Sequence, residues 1–168
     1  TCTVHCKVGD KHIRANDWYH LKVECHSSGT SVVFRDDSGN TVTVHGDLDI
    51  IEGRLKRNDA ADTLTVTGDV SVESGGTLGH VDQSAGAENF GSLTIASGGT
   101  YIATSGTTTI TSHSSNWVLN NSGTFTHNNG LVHSTQTAVN NAKIEMDGDS
   151  LYDLQLTTHP RSTKIESN

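Results

Sequence analysis

The sequence predicts an all-β chain wound as a parallel β-solenoid of about six coils of 22–26 residues, preceded by an N-terminal β-rich cap. Composition is the first reason. Among 168 residues there are 23 Thr, 18 Ser, 17 Gly and 12 Asn with a single Pro, while only 32% are hydrophobic and 5% aromatic. Thr favours strands, and Gly and Asn favour turns, so many short strands around a thin core fit better than a helical bundle. Internal repetition is the second reason. Val70-Ser-Val-Glu-Ser-Gly-Gly-Thr-Leu78 aligns with Leu93-Thr-Ile-Ala-Ser-Gly-Gly-Thr-Tyr101 at an offset of 23, and Trp117 to Phe125 follows a further 24 on. Alternation is the third: Leu64, Val66, Val70, Val72 and Leu78 point inward, while Thr65, Ser71 and Glu73 point outward. One such unit cannot bury its own apolar face, but stacked units bury a continuous interior.

Residues 1–40 form the cap or docking region, read either as a separate unit or as irregular first coils. They hold all three cysteines and the Trp18-Tyr19 pair. Leu21-Lys-Val23 leading into Gly29-Thr-Ser31 is a weak copy of the repeat, and Asp36 to Asn40 reads as a hairpin-type turn. The repeat region spans 41–157. Leu48-Asp-Ile50 leads into Gly53-Arg-Leu55 in phase with the later coils, and Val42 to Asp47 matches Leu64 to Asp69 at 22. The alignment makes Val72, Ile95 and Leu119 vertical neighbours. The Gly-Gly pairs before Thr77 and Thr100 supply positive φ angles for a corner. Ile144 and Met146 lead into Asp149-Ser-Leu151 as the last copy, and 158–168 is a polar C-terminal tail. The winding is expected to be right-handed by the crossover rule.

Gly123-Thr-Phe-Thr-His-Asn-Asn-Gly-Leu-Val132 followed by Leu151-Tyr-Asp-Leu-Gln-Leu156 resembles the repeat of β-solenoid proteins of bacterial surfaces and phage particles. In that repeat a Gly-Thr-Phe-x-His-Asn-x-Gly strand precedes an aromatic-x-x-Leu-x-Leu strand. The two Gly-Gly-Thr coils are similar to the same class. The resemblance covers residues 41–157, about seven-tenths of the chain, and implies architecture more than activity.

Charge and motif content narrow the function. Eleven basic residues against 19 acidic ones give a net charge of −8, and beyond Arg54, Lys56 and Arg57 the cations form no stripe. Phosphate neutralisation has little to work with, so a nucleic-acid partner is not expected. No apolar run approaches the roughly 18 residues of a membrane span. No signal-peptide pattern opens the chain at Thr1, and the export route is left unread.

Cys2, Cys6, Cys25, His5 and His26 are residue types that hold zinc. The alternation places the thiols inward, where they behave as small apolar residues, and this reading is preferred over a Cys6–Cys25 disulfide or a metal. Ten histidines are dispersed, with His45, His113, His127 and His133 on outward positions. Asp47, Asp49 and Asp69 are the candidate carboxylates, but Gly-Asp at a turn more often serves a local hydrogen bond. Thr107 to Thr111 and Thr63 to Thr67 are read as wet strand faces rather than ice- or sugar-binding ladders.

The expectation is therefore a non-enzymatic structural protein of an assembled particle, a phage capsid decoration or a tail or fibre component, located in the virion and needing no cofactor or metal. Its interface residues are Trp18, Tyr19, Phe34, Leu151, Leu154 and Leu156, and its partners are further copies of itself and other particle proteins. The alternative is an extracellular or cell-surface adhesin module that binds carbohydrate.

Overall fold

A computed structural model describes the chain apart from residues 7–8, 15–16, 27–29, 36–40, 58–61, 80–84, 112–116, 136–140, 158–161 and 167–168. It is a parallel β-solenoid with three faces. The first circuit runs β1 (Cys2–Cys6), β2 (Lys11–Arg14) and β3 (Asp17–Trp18). The second runs β4 (Leu21–Cys25), β5 (Ser31–Arg35) and β6 (Thr41–Val44). In the third, β7 (Leu48–Arg57) crosses two faces and β8 (Thr63–Val66) takes the last. Then come β9 (Asp69–Val72), β10 (Gly76–Leu78) and β11 (Glu88–Phe90), and β12 (Ser92–Ile95), β13 (Thr100–Ile102) and β14 (Thr107–Ile110). The chain continues through β15 (Trp117–Asn121), β16 (Thr124–Thr126) and β17 (Leu131–Ser134), and ends on β18 (Asn141–Glu145), β19 (Asp153–Leu156) and β20 (Ser162–Glu166).

Among the described residues every strand pairing is parallel. Face A stacks β1, β4, β7, β9, β12, β15, β18 and β20. Face B stacks β2, β5, β7, β10, β13 and β16. Face C stacks β3, β6, β8, β11, β14, β17 and β19. Strands of residues 1–40 are in register with the circuits that follow, and Ser162–Glu166 in the polar tail extends face A.

The interior follows from the alternation. Leu64, Val66, Val70, Val72 and Leu78 are all enclosed, joined by Ile50, Leu55, Leu93, Ile95, Phe90 and Tyr101. Their columns repeat the sequence phase: Leu48 beside Val70 beside Leu93, and Leu55 beside Leu78 beside Tyr101 beside Phe125.

The corner glycines divide the work between two physical requirements. Gly75 and Gly98, the first of each pair, take φ of 86° and 83°, and Gly76 N–H to Glu73 O (2.8 Å) and Gly99 N–H to Ala96 O (2.8 Å) close the turns. That is the position where a type II turn needs a residue tolerant of positive φ. The second glycines are required by space instead, since a Cβ on Gly76 would lie 2.3 Å from Ile50 O and one on Gly99 2.5 Å from Val72 O.

Four expectations are corrected. Ile95 stands beside Asn121, not Leu119, which pairs with Leu93. The corner between Asn121 and Gly123 is two residues shorter than that between Ile95 and Gly99, so aligning the glycines misaligned the strand before them. Second, Ser31 faces Arg54 and Val32 faces Leu55, one residue away from the phase Gly29-Thr-Ser31 suggested. The slip keeps Val32 and Phe34 inside, because a one-residue shift would turn both outward. Third, β5 and β6 lie on different faces, so the segment 36–40 does not join a hairpin; its own residues lie outside those described. Fourth, Cys25 is disulfide-bonded rather than a buried thiol. Cys6 is its register partner across β1 and β4, and strands about 4.8 Å apart bring opposed Cα atoms within disulfide range. Cys2 is free. Denatured without reductant, the chain is expected to react with a thiol reagent once, at Cys2, and three times after reduction; three equivalents before reduction would refute the bridge.

Candidate functional site at the ends of the rod

The six residues singled out for contacts fall into three groups. Phe34 is 1% exposed and belongs to the core, which removes it as a surface anchor in this chain. Trp18, Leu151 and Leu154 are half-buried against the core, and the indole N–H of Trp18 is buried with no hydrogen-bond partner among the described residues. Tyr19 and Leu156 are exposed, at 73% and 41%. Two further apolar residues are exposed: Tyr152 at 58%, which lies within the 151–156 segment expected to make contacts, and Ile165 at 55%, which the sequence reading missed. Three of these four exposed residues lie beyond Asp149, and Tyr19 lies at the other end of the rod.

Near the C-terminal end, polar side chains close part of the edge. Asp149 Oδ2 accepts from the backbone N–H of Phe125 at 2.6 Å and from Asn121 Nδ2 at 3.0 Å; Asn121 Nδ2 also donates to Met146 O at 2.8 Å. Asp149 thus occupies an N–H of β16 that a further face-B strand would have paired. The turn Met146–Asp149 carries Asp147 and Gly148 at φ 44° and 86°, and His127–Gly130 carries Asn128 and Asn129 at 45° and 59°. Both fit type I′ turns, which is why Asn and Asp are used there. The first presents Asp149; the second places His127 against Tyr152, rings stacked 5.6 Å apart.

The carboxylates read as possible acid pairs make ladder contacts instead. Asp47 N–H donates to His20 Nδ1 (2.9 Å), Asp69 N–H to Asp47 Oδ1 (3.0 Å), and Ser92 Oγ–H to Asp69 Oδ1 (2.8 Å). Each acid joins the corner of its circuit to the next. Asp49 is half-buried on face A, and burial followed by the charge of Asp47 raises its pKa. Among the histidines, His45 is exposed, His133 Nε2 meets Thr157 Oγ1 at 3.0 Å, and His113 lies outside the described residues. Thr108 is buried between Thr107 and Thr109, so the threonines of β14 do not all face solvent.

The interior holds a polar cluster that sequence reasoning did not mark. The Arg57 guanidinium lies 3.7 Å from Glu88 Oε1 and donates to Asp62 O at 2.8 Å. Tyr101 O–H donates to Glu88 Oε2 and lies 2.9 Å from Thr108 Oγ1. All four side chains are buried, and they link three successive circuits. Burial pushes Glu88 upward against the opposing pull of Arg57, and burial with the adjacent Glu88 charge pushes Tyr101 well above the usual phenol range. The register explains the inward placement, because Glu88 is opposed to Leu64 and Thr108, both inward.

One group of metal-ligating side chains stands outside these sites. His5, Glu24 and His26 each offer a ligand atom within 4.8 Å of the others. The zinc-type set read from sequence shared only the two histidines with it; Glu24 was missed.

The parallel stack and its end surfaces define a β-solenoid repeat protein. No protein-family model, curated protein or solved structure matches the chain.

Proposed function

We propose that this protein is a non-enzymatic structural component of an assembled particle, acting as a rigid rod whose end surface around Tyr152, Leu156 and Ile165 docks another subunit. A phage virion, as capsid decoration or tail or fibre protein, is the finer form of the reading, and it rests on the repeat resemblance of residues 123–156. The observation that carries the assembly reading is the distribution of large apolar side chains. Among the described residues between Leu21 and Leu151 no large apolar side chain is exposed, whereas Tyr152, Leu156 and Ile165 are, all within the last stretch of the sequence. Apolar and aromatic anchors of this kind carry much of the energy of protein interfaces.

The test is sedimentation of the chain across a concentration series. The parent is expected to self-associate, and the triple variant Tyr152→Ser, Leu156→Ser, Ile165→Ser to sediment as a monomer with an unchanged melting temperature. These exposed positions are better probes than Trp18 or Leu154, whose loss would also remove core packing. A parent that stays monomeric at every concentration would sink the reading.

The alternative, a surface module that binds carbohydrate, has its own support in the exposed Tyr152 ring stacked on His127. Monomeric protein that binds glycans, and loses them on Tyr152→Ser, would put that reading in place of the first.

A further inference from the structure

We propose that His5, Glu24 and His26 form a binding site for a divalent transition-metal ion of the zinc class, on the outer side of face A where the first two circuits meet. Register alone brings the first two together. His5 and Glu24 are opposed across β1 and β4, on the outward alternation between inward Val23 and Cys25. Their facing atoms, Nδ1 and Oε2, are 3.2 Å apart. His26 follows Cys25 directly, and the disulfide at Cys25 restrains the strand end from which it projects.

The spacing fits the chemistry. Zinc bonds of about 2.0–2.2 Å in a tetrahedral shell put neighbouring ligand atoms roughly 3.3 Å apart. The His5–Glu24 contact already has that length, and the 4.8 Å limit for the full set closes by side-chain rotation at a solvent-facing site. Two imidazoles and one carboxylate suit zinc and its neighbours rather than magnesium or calcium, which prefer all-oxygen shells.

A second carboxylate supplies the outer support such sites commonly have. Glu52 Oε2 lies 2.8 Å from His26 Nδ1, so it can take that ring N–H and leave the other nitrogen for the ion. Lys22 Nζ holds Glu24 by its other oxygen, Oε1, at 3.2 Å, which leaves Oε2 turned to His5. An ion held here bridges the first and second circuits and, through Glu52, touches the third. It would clamp the end of the rod opposite to the exposed apolar surface.

The test uses the full chain with its disulfide intact, stripped by a chelator and titrated calorimetrically with zinc alone, then separately with magnesium alone. The expected result is one zinc per chain, a melting temperature that rises with zinc, and no magnesium heat. His5→Ala, Glu24→Gln and His26→Ala should each abolish stoichiometric binding. Glu52→Gln should weaken it by about 10–100-fold, the usual effect of losing an orienting partner. His133→Ala on face C should bind as the parent does. Each metal-free variant is melted beside the parent, and His26→Ala, which lies outside the strands, keeps the test decisive if His5→Ala disturbs β1. A parent that binds no zinc overturns the proposal. So does binding that survives both Glu24→Gln and His26→Ala.

Discussion

Replacing Ile95 by Asp is expected to lower the melting temperature by about 10 °C or more. Ile95 is fully enclosed, between Val72 of the circuit before and Asn121 of the circuit after. The substitution removes a packed aliphatic group and strands a carboxylate whose register neighbours, Val72 and Asn121, carry no charge. Burying an unpaired charge with loss of packing costs on the order of 4 kcal/mol or more, among the largest single-site effects. For a chain of this size each kcal/mol moves the midpoint by roughly 2–4 °C. Asn121 could accept part of the new polarity, but it is already bonded to Met146 O and Asp149. A shift below about 3 °C would mean that Ile95 does not stand in a closed column.

Arg57→Met is expected to destabilise the protein by about 3–5 kcal/mol at neutral pH, the usual consequence of breaking a buried ion pair by removing one partner. The guanidinium is the charge that opposes the burial of Glu88; without it the carboxylate's partners among the described residues are the Tyr101 and Thr108 hydroxyls. The pH dependence fixes the sign. Glu88 has a folded pKa raised above its ordinary value, so its protonated form is favoured by folding. The stability tied to it is fully present below the unfolded pKa and is lost as pH rises through the folded one. Removing Arg57 raises that folded pKa further, so the deficit of Arg57→Met should shrink steadily as the solution is acidified below neutrality. Chemical denaturation from pH 7 to pH 4 reads this directly. The double variant Arg57→Met, Glu88→Met should recover most of the loss, because replacing a buried pair with apolar groups is often neutral or better. A deficit independent of pH, or one that deepens in acid, would mean that Glu88 is not the group Arg57 neutralises.

How much could be read beforehand depended on whether the information lay in a repeating phase. Val70, Leu93 and Leu64 announced their columns because alternation and a period near 23 agree at those positions. Asn121 was hidden because the glycine corner seemed the safest anchor, and that corner was the part that had shortened. Polar residues inside the rod were hidden for a related reason: patterning by hydrophobicity treats Glu88 as outward, although its register with Leu64 and Thr108 says otherwise. The end surface was partly legible. Tyr19 and Leu156 are exposed as proposed for contact residues, but Phe34 lies in the core because β5 is shifted by one residue. The His5–Glu24 pair required the register of β1, where the repeat is too weak to align from sequence. In that register Cys6 opposes Cys25 and Cys2 opposes Leu21, each pair 19 residues apart, a spacing shorter than the period near 23 of the later coils.

The direction of the strand-to-strand hydrogen bonds has a mechanical consequence. In a stack of parallel circuits these bonds lie along the rod, so a pull on the two ends of the chain acts on the outermost circuit first, while the inner ones remain seated on their neighbours. Peeling one circuit of about 23 residues releases roughly 76–83 Å of slack at about 3.3–3.6 Å per residue, while the remaining rod shortens by only about 4.8 Å. The disulfide at Cys25, bridging the first circuits, prevents that end from paying out its slack and directs unwinding to the other. Under tension such a rod behaves as a spool with one locked end, lengthening in increments set by the circumference of its coils.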